Sequence, residues 1–252
     1  MVKILLFSDF CGTQTPNTAQ TPILQANGID EAEFYAEGVR HLGQGKAAHP
    51  GAAYETVYLW HLLRMMESGA LPRYSRRQLT AFGAEINLFP GSPGFVEGLR
   101  GEADDIGDEL GFYILSSGLS DTIAGSAIGQ ESDGIFASVL EPAGNEDPLD
   151  GKVARVASAV GEQAKADYLD GIISLEQPAR VFYICDGMSD GRVMDRVLFS
   201  GGQNFFVFNP ERQGDLTKAA DLHRQGIVLG VHEADYSPGS RLYRALNAAI
   251  HS

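Results

Sequence analysis

Residues 4–13 read ILLFSDFCGT, an apolar run that stops at polar and small residues. Four consecutive apolar residues with no polar alternation are typical of a strand buried on both faces, as in a parallel sheet. The run ends at Ser8-Asp9, and Gly12-Thr13 then turns the chain. We therefore expect a first strand that brings Asp9 to the carboxyl edge of the sheet, where open α/β proteins bind their ligands.

Further short apolar runs follow the first one along the chain. Amphipathic segments of helical length separate most of them, so the sequence predicts a doubly wound parallel sheet of the α/β class. The runs are FYIL at 112–115, VFYI at 181–184, FFVF at 205–208 and IVLGV at 227–231, and the predicted helices include 94–100, 152–170 and 216–225.

The chain between the first two runs has a different character. Residues 15–87 contain no comparable apolar run, and their apolar side chains recur at helical spacing. Asp30 and Glu33 are spaced as in a capping box, which indicates a helix start. We predict a helical cap domain over 15–87, inserted directly after strand one into a core formed by 1–14 and 88–252.

Composition narrows the possible function classes. The 252 residues include 19 Lys and Arg against 33 Asp and Glu, a formal net charge of −14. Such a chain is repelled by phosphate backbones and anionic membranes, so we expect neither nucleic acid nor a membrane as partner. The 2 cysteines, and a first apolar run too short for a signal peptide, favour a cytoplasmic protein.

Two further predicted strands also end in residues that carry chemistry. Ser116 follows the run at 112–115, and Asp186 follows the run at 181–184, with Asp190 a helical turn later. A single aspartate after a strand is common, because it often caps a helix. Three strand ends with these residues, in this order along the chain, indicate a functional site much more specifically than any single strand end does.

These strand ends resemble the motifs of the haloacid dehalogenase-like (HAD) superfamily, and within it the phosphoserine phosphatase-like branch. The first family motif, Asp-x-Asp-Gly-Thr, is matched by residues 9–13 and the second by Ser116. The fourth, Gly-Asp-Gly-x-x-Asp, is matched by residues 185–190. The resemblance covers the core, including FPGSPG at 89–94, which is similar to the stretch that re-enters the core after a cap.

The third family motif is a lysine, for which the sequence offers two candidates. Lys165 precedes Asp186 at about the spacing that this branch uses, and Lys152, further away, is the runner-up. The residues of the cap match no family motif one by one, so the identity of the substrate stays open.

The resemblance implies a phosphatase that hydrolyses a small phosphorylated metabolite through an aspartyl-phosphate. Asp9 would attack phosphorus, Ser116 would donate a hydrogen bond to a phosphoryl oxygen, and Lys165 would offset the negative charges crowded there. Mg²⁺ would be the cofactor. Its ligands would be Asp9, the carbonyl oxygen of Cys11 and Asp186, with Asp190 binding the metal or one of its waters.

Cys11 is a departure from the family pattern. Family phosphatases have an aspartate there, which serves as general acid and then base, and a thiol with an ordinary pKa of about 8.5 is a poor proton donor to an alkoxide. The alternatives are therefore a phosphate-ligand binder without turnover, and a phosphonate hydrolase or phosphotransferase. A dehalogenase needs no metal, and the intact Asp186 and Asp190 argue against it.

The second cysteine, Cys185, also stands at a motif position, where the family has glycine. Because it ends a strand that neighbours the first one in the family fold, we expect the Cys11 and Cys185 thiols at the same edge of the site.

Four arginines lie in the inserted segment of this otherwise acidic chain. Such cations could grip an anionic substrate, although a solvated helix end is the favoured interpretation for any single one of them. They are Arg64, Arg73, Arg76 and Arg77.

Overall fold

The computed structural model describes residues 1–45, 54–212 and 216–252. Its strands form a 7-stranded sheet. In chain order they are β1 (Lys3–Ser8), β2 (Glu109–Leu119), β3 (Gly134–Pro142), β4 (Val153–Ser158), β5 (Arg180–Cys185), β6 (Gln203–Phe208) and β7 (Gly230–Glu233). The spatial order is β4-β3-β2-β1-β5-β6-β7, and all neighbours are parallel except the antiparallel pair β3 and β4.

Helices connect the strands and cover both faces of the sheet. They are α1 (Thr21–Ala26), α2 (Glu31–Gly45), α3 (Val57–Ser68), α4 (Arg76–Phe82), α5 (Phe95–Asp105), α6 (Ser120–Gly125), α7 (Ala127–Glu131), α8 (Glu162–Glu176), α9 (Gly191–Phe199), α10 (Leu216–Arg224) and α11 (Arg241–Ile250). Short 3₁₀ helices lie at Tyr54–Thr56, Gly83–Glu85 and Met188–Asp190. Within the described ranges, no helix has the length and apolar character needed to cross a membrane.

The central strand β1 shows why the sheet is covered on both sides. Successive side chains of a strand point to opposite faces, so Ile4 and Leu6 pack in the layer of α5 and α11. Leu5 and Phe7 pack in the opposite layer, against α8, α9 and α10. Both layers are apolar, which explains the unbroken apolar runs and confirms the predicted doubly wound parallel sheet.

The prediction of one helix over 152–170 was wrong in its first half. Residues Val153–Ser158 form the edge strand β4, and α8 begins only at Glu162, after Gly161. Strand β3, its antiparallel partner, was also missed. Pairing between these two strands is a long-range effect, and it overrides the weak local preference of a short polar-apolar segment. At the other edge, β7 begins at Gly230, later than the apolar run at 227–231.

Between β1 and β2 the described chain is helical, as expected, and contains no named strand. The backbone N–H of Glu33 donates to Asp30 Oδ1 over 2.8 Å, which is half of the predicted capping box. Apolar side chains of α1, α2, α3 and α4 form a separate cluster that also includes Leu119, Leu140 and Val153. The helical segment therefore packs on the end of β2 and on the β3–β4 hairpin, while its division into a domain over 15–87 stays a prediction.

Candidate active site

The three central strands end side by side, and this edge holds the residues singled out from the sequence. The backbone N–H of Asp9 donates to the carbonyl oxygen of Ile184 over 2.9 Å, which ties the residue after β1 to β5. Asp186 directly follows β5. Ser116 was expected just after its strand but lies inside β2, where the pairing with β3 shifts between Leu115 and Leu119. Ser8, the last residue of β1, pairs with Ile114, so the fully buried Ser116 lies at the same edge.

Lys165 is the lysine that reaches this site. It lies one turn into α8, and its Nζ is 2.7 Å from Asp9 Oδ1 and 2.7 Å from Asp190 Oδ1. All three side chains are buried. Lys152, the runner-up, lies on the surface, where its Nζ donates to Gln78 Oε1 over 2.8 Å.

The turn after β1 brings the backbone against Asp186. Gly12 has a φ of +83°, and a Cβ at this position would be 2.1 Å from Asp186 Oδ2, so only glycine fits. The next residue, Thr13, places its hydroxyl 3.3 Å from Asp9 Oδ2 and 3.3 Å from Asp186 Oδ1. The Thr13 hydroxyl therefore links two of the acidic groups, a contact that the sequence analysis missed.

The acidic groups are buried and crowded together, and the pKa values of two of them are raised. Carboxylate oxygens of Asp9, Asp186 and Asp190 all lie within 4.8 Å of one another. Burial raises the pKa of Asp9 to about 6, an effect that Lys165 opposes and Asp190 strengthens. Burial, followed by the charge of Asp9, raises the pKa of Asp186 to about 8. Burial disfavours the Lys165 ammonium, but Asp190 and Asp9 outweigh it and raise the pKa of Lys165 overall.

This donor set fits a small divalent cation. Asp190 Oδ1 is bound by Lys165, but its second oxygen, Oδ2, is buried without a hydrogen-bond partner. Burying a carboxylate oxygen without a partner costs folding free energy. Because Asp190 Oδ2 also lies next to two more carboxylates, its position indicates that a cation binds there. Clustered carboxylate oxygens are what Mg²⁺ and Ca²⁺ prefer. Within the described parts of the chain, no other group of at least 3 His, Cys, Asp or Glu side chains converges in this way.

Cys11, which is partly buried, is held as a thiol. Its Sγ accepts a hydrogen bond from the backbone N–H of Ala19 over 3.4 Å. Burial, followed by the negative charge of Asp9, raises the pKa of Cys11 to about 12. Its neutral form therefore predominates at physiological pH, and it is a weaker acid than an ordinary cysteine.

The two cysteines lie in different packing layers. Cys11 packs against the layer of α5 and α11, whereas Cys185 is fully buried in the opposite layer, with α8, α9 and α10. Both thiols are free. Both residues follow or end neighbouring strands at the same edge of the sheet, as expected, but their side chains lie on opposite faces, which disfavours a bridge between them.

A buried hydrogen-bond network supports the turn after β1. Gln14 Nε2 donates to Ser8 Oγ over 2.8 Å, and Gln14 Oε1 accepts from Ser92 Oγ over 2.8 Å. The hydroxyl of Tyr236 donates to the carbonyl oxygen of Thr13 over 2.7 Å. Ser92 belongs to the FPGSPG segment, so the stretch that returns to the core after the helical insertion is bonded to the turn that follows Asp9. The sequence did not predict this role of Tyr236, because the residue lies far along the chain from every motif.

The inserted arginines are mostly engaged elsewhere. Arg76 forms a forked ion pair with Asp121, with N–O distances of 2.9 to 3.1 Å. Arg77 pairs with Asp150 over 2.7 Å. The remaining two are Arg64, whose NH1 is 2.8 Å from His41 Nδ1, and Arg73, which is exposed. These contacts favour a structural role over a grip on the substrate.

The fold of this chain is similar to that of known phosphatase structures. Neither a protein-family model nor a curated protein sequence matches the chain. A substrate-bound phosphoserine phosphatase complex matches 98% of this chain and 98% of its own, with a TM-score of 0.59 and 15% identity. A phospho-aspartyl intermediate analogue of phosphoserine phosphatase matches 82% of this chain and 87% of its own, with a TM-score of 0.54 and 16% identity.

A third similar structure is a HAD family hydrolase from Salmonella enterica serovar Typhi, with a TM-score of 0.57 and 14% identity. The match covers 82% of this chain but only 63% of the hydrolase. These likenesses, at low identity, concern the fold. The chain has the HAD-like α/β fold. Within that class its architecture is of the phosphoserine phosphatase type.

Proposed function

We propose that this protein is a metal-dependent phosphatase that hydrolyses a small phosphorylated metabolite through an aspartyl-phosphate at Asp9. The observation that carries the proposal is the arrangement of Asp9 and Asp190 on either side of Lys165, with Asp186 beside them, at the carboxyl edge of a HAD-like sheet. A buried carboxylate held by an ammonium and placed beside other acids suits nucleophilic attack on phosphorus. One structural neighbour is itself an analogue of a phospho-aspartyl intermediate.

The proposed reaction has two displacements. In the first, a carboxylate oxygen of Asp9 forms a bond to phosphorus, and the bond from phosphorus to the leaving oxygen breaks. In the second, water attacks phosphorus and releases phosphate, which restores the Asp9 carboxylate. The Lys165 ammonium holds Asp9 in place and reduces the repulsion between its charge and the incoming phosphate. The buried Ser116 hydroxyl is the proposed donor to a phosphoryl oxygen.

The cation that this site would hold is Mg²⁺, bound by Asp9, Asp186, Asp190 and the carbonyl oxygen of Cys11. When bound, it neutralises negative charge on the phosphoryl group as that charge develops.

The helical segment 15–87 is the proposed cap domain of this enzyme. The cytoplasm is its proposed location.

The state of Cys11 favours a second candidate, a binder of phosphorylated ligands with little turnover. A thiol whose pKa is raised to about 12 is a much weaker general acid toward a poor leaving group than the family's aspartate. General acid catalysis is worth about 10²–10⁴-fold, so its loss confines efficient turnover to substrates whose leaving group needs no proton.

We expect aryl and acyl phosphates to be hydrolysed at least about 100-fold faster than alkyl phosphates, because their leaving groups depart as anions. Steady-state rates on 4-nitrophenyl phosphate, acetyl phosphate and glycerol phosphate measure this ratio. Cys11→Asp should raise the alkyl rates and leave the aryl rates nearly unchanged, whereas Cys11→Ser should restore nothing. Equal wild-type rates on both classes would show that another group supplies the proton.

The experiment that tests the proposed function is a screen of phosphate esters with and without added Mg²⁺. Protein carrying Asp9→Asn, purified in the same way, measures any contaminating phosphatase. We expect release of phosphate that requires the divalent cation and is absent from the Asp9→Asn preparation. Tight binding of phosphorylated ligands without release of phosphate from any ester, aryl and acyl phosphates included, would favour the binder.

The stability of the metal-free protein should fall as the pH rises. Asp9 and Asp186 have folded-state pKa values of about 6 and about 8, above the ordinary value of 3.8, so both bind protons more tightly when folded. Their contribution to the free energy of unfolding is therefore full at low pH and is lost between about pH 4 and pH 8. Mg²⁺ prefers the ionised carboxylates, so the rise in Tm that it causes should be larger near pH 8 than near pH 5.

Calorimetry of wild type and Asp186→Asn, each in chelator and in Mg²⁺, isolates this effect from that of other titrating groups. The variant should lose most of the pH slope between about pH 6 and pH 8 and most of the Mg²⁺ response. A metal-free wild type with the same slope as the variant would mean that Asp186 is ionised throughout this range.

A further inference from the structure

The short turn that precedes α3 contacts the helix that carries Lys165. Glu55 lies in the 3₁₀ helix Tyr54–Thr56, and its Oε1 accepts a hydrogen bond from the backbone N–H of Glu162 over 2.9 Å. Glu162 is the first residue of α8. A carboxylate from the helical insertion therefore caps this helix one turn before Lys165.

The residue at the N-cap of α8 cannot supply this bond. It is Gly161, which has no side chain and makes no side-chain cap bond. The first N–H groups of a helix have no partner within the helix, and a negative charge there is favourable. The side chain of Glu162 is turned to the next helix, where its Oε1 accepts from the backbone N–H of Arg192 over 2.9 Å. Arg192 follows the first residue of α9, whose N-cap is Asp190.

The same insertion also contacts the strand of Ser116. Tyr58, in the first turn of α3, donates its hydroxyl to the carbonyl oxygen of Ser117 over 2.7 Å. That carbonyl oxygen also accepts from Ser138 Oγ over 3.0 Å. Ser138 Oγ in turn accepts from the backbone N–H of Val160 over 3.0 Å, just ahead of α8.

These bonds close a ring. It runs from Tyr58 through Ser117, Ser138 and Val160 to the start of α8, and returns through Glu55 to the turn from which Tyr58 leaves. Tyr58 and Ser138 are buried, so that side of the ring is shielded from water, and the bond between Glu55 and Glu162 is partly buried. Lys165 and Ser116 come from different elements, and the ring joins those elements beside the site.

We propose that Glu55 is a positioning residue of the site: through the first turn of α8, its carboxylate fixes Lys165 relative to Asp9 and Ser116. The inference rests on the proposed phosphatase function and gives the helical insertion a part in the catalytic centre itself. Because Lys165 acts on the reacting group, loss of the Glu55 contact should lower kcat more than it changes KM.

The test compares Glu55→Ala, Glu55→Gln and Tyr58→Phe with wild type on 4-nitrophenyl phosphate in Mg²⁺. Glu67→Ala, an exposed glutamate of α3, is the matched control. We expect Glu55→Ala to lower kcat about tenfold with KM within about twofold, because a small displacement of a catalytic group costs this much or more. Glu55→Gln should keep most of the activity, since its amide oxygen can still accept the bond, and Glu67→Ala should match wild type.

Hydrogen–deuterium exchange supplies a readout that does not depend on activity. Peptides covering 161–169 should exchange faster in Glu55→Ala than in wild type, and peptides of α10 should be unchanged. Tyr58→Phe removes one hydroxyl while keeping the buried ring, so it tests the closed ring even where Glu55→Ala loosens the insertion; its kcat should also fall.

The outcomes separate two failures. An active wild type whose kcat is unchanged in Glu55→Ala would overturn the positioning role and leave the phosphatase proposal intact. A wild type with no turnover would overturn the phosphatase proposal and the positioning role with it, whereas faster exchange of 161–169 in Glu55→Ala would still establish the cap. Unchanged exchange there would show that Glu55 does not hold α8.

Discussion

Asp9→Asn should reduce phosphate release from 4-nitrophenyl phosphate by far more than 100-fold, the largest effect that we expect from any single substitution. The change keeps the size and shape of the side chain but removes the negative charge that would attack phosphorus. It also removes one of three carboxylates that would bind the cation. Rates measured with enough protein to detect a residual hundredth of wild-type activity test this directly.

The fold should survive the Asp9→Asn substitution. The pKa of Asp9 is raised in the folded state, so its charge destabilises the metal-free protein above about pH 6. A neutral amide relieves that crowding, and the Tm in chelator should stay equal or rise. An Asp9→Asn protein that keeps more than about a hundredth of the wild-type rate would rule out Asp9 as the nucleophile.

Lys165→Met should lower both activity and stability. The ammonium is buried between Asp9 and Asp190, with both contacts at 2.7 Å. Removing one partner of a buried ion pair leaves uncompensated charge and typically costs about 3–5 kcal/mol. The pKa of Asp9, already raised by burial, should rise further, so Asp9 would be protonated at neutral pH and attack would slow by more than about 100-fold.

The matched control is Lys152→Met, the other lysine that fits the third motif. Its Nζ contacts Gln78 Oε1 on the surface, so its loss should change the Tm and kcat little. Mg²⁺ should restore part of the lost stability of Lys165→Met, since a cation among the acids replaces part of the missing charge. Equal effects of the two substitutions would contradict the assignment of Lys165.

The central strands of the sheet could be predicted from the sequence, because the pattern that produces them is local. Strands buried on both faces need consecutive apolar residues, and the runs that begin at Ile4, Phe112, Val181 and Phe205 all lie within observed strands. Strands β3 and β4 were missed, because β3 is held by pairing with β2 and β4, and the edge strand β4 by pairing with β3, rather than by an apolar run. The local sequence of such strands predicts them weakly until their partners are known.

The acidic groups of the site were also readable, because parallel strands all end at one edge of the sheet. Asp9 and Asp186 follow neighbouring strands, and so their proximity needed no more than the strand order. The residues that support these acidic groups could not be predicted. Tyr236 bonds to Thr13 and Glu55 bonds to Glu162, each across a long stretch of chain, and nothing in the local sequence marks either residue.

The most direct test of the central claim is to trap the phosphorylated aspartate. Wild-type protein turning over acetyl phosphate or 4-nitrophenyl phosphate in Mg²⁺ is quenched with borohydride, which reduces an acyl phosphate to an alcohol and so converts the aspartate to homoserine. Peptide mass spectrometry then locates the modified residue. Homoserine at position 9, seen only when substrate is present, is the expected result. Turnover with Asp9 unmodified while another residue is converted would contradict the account.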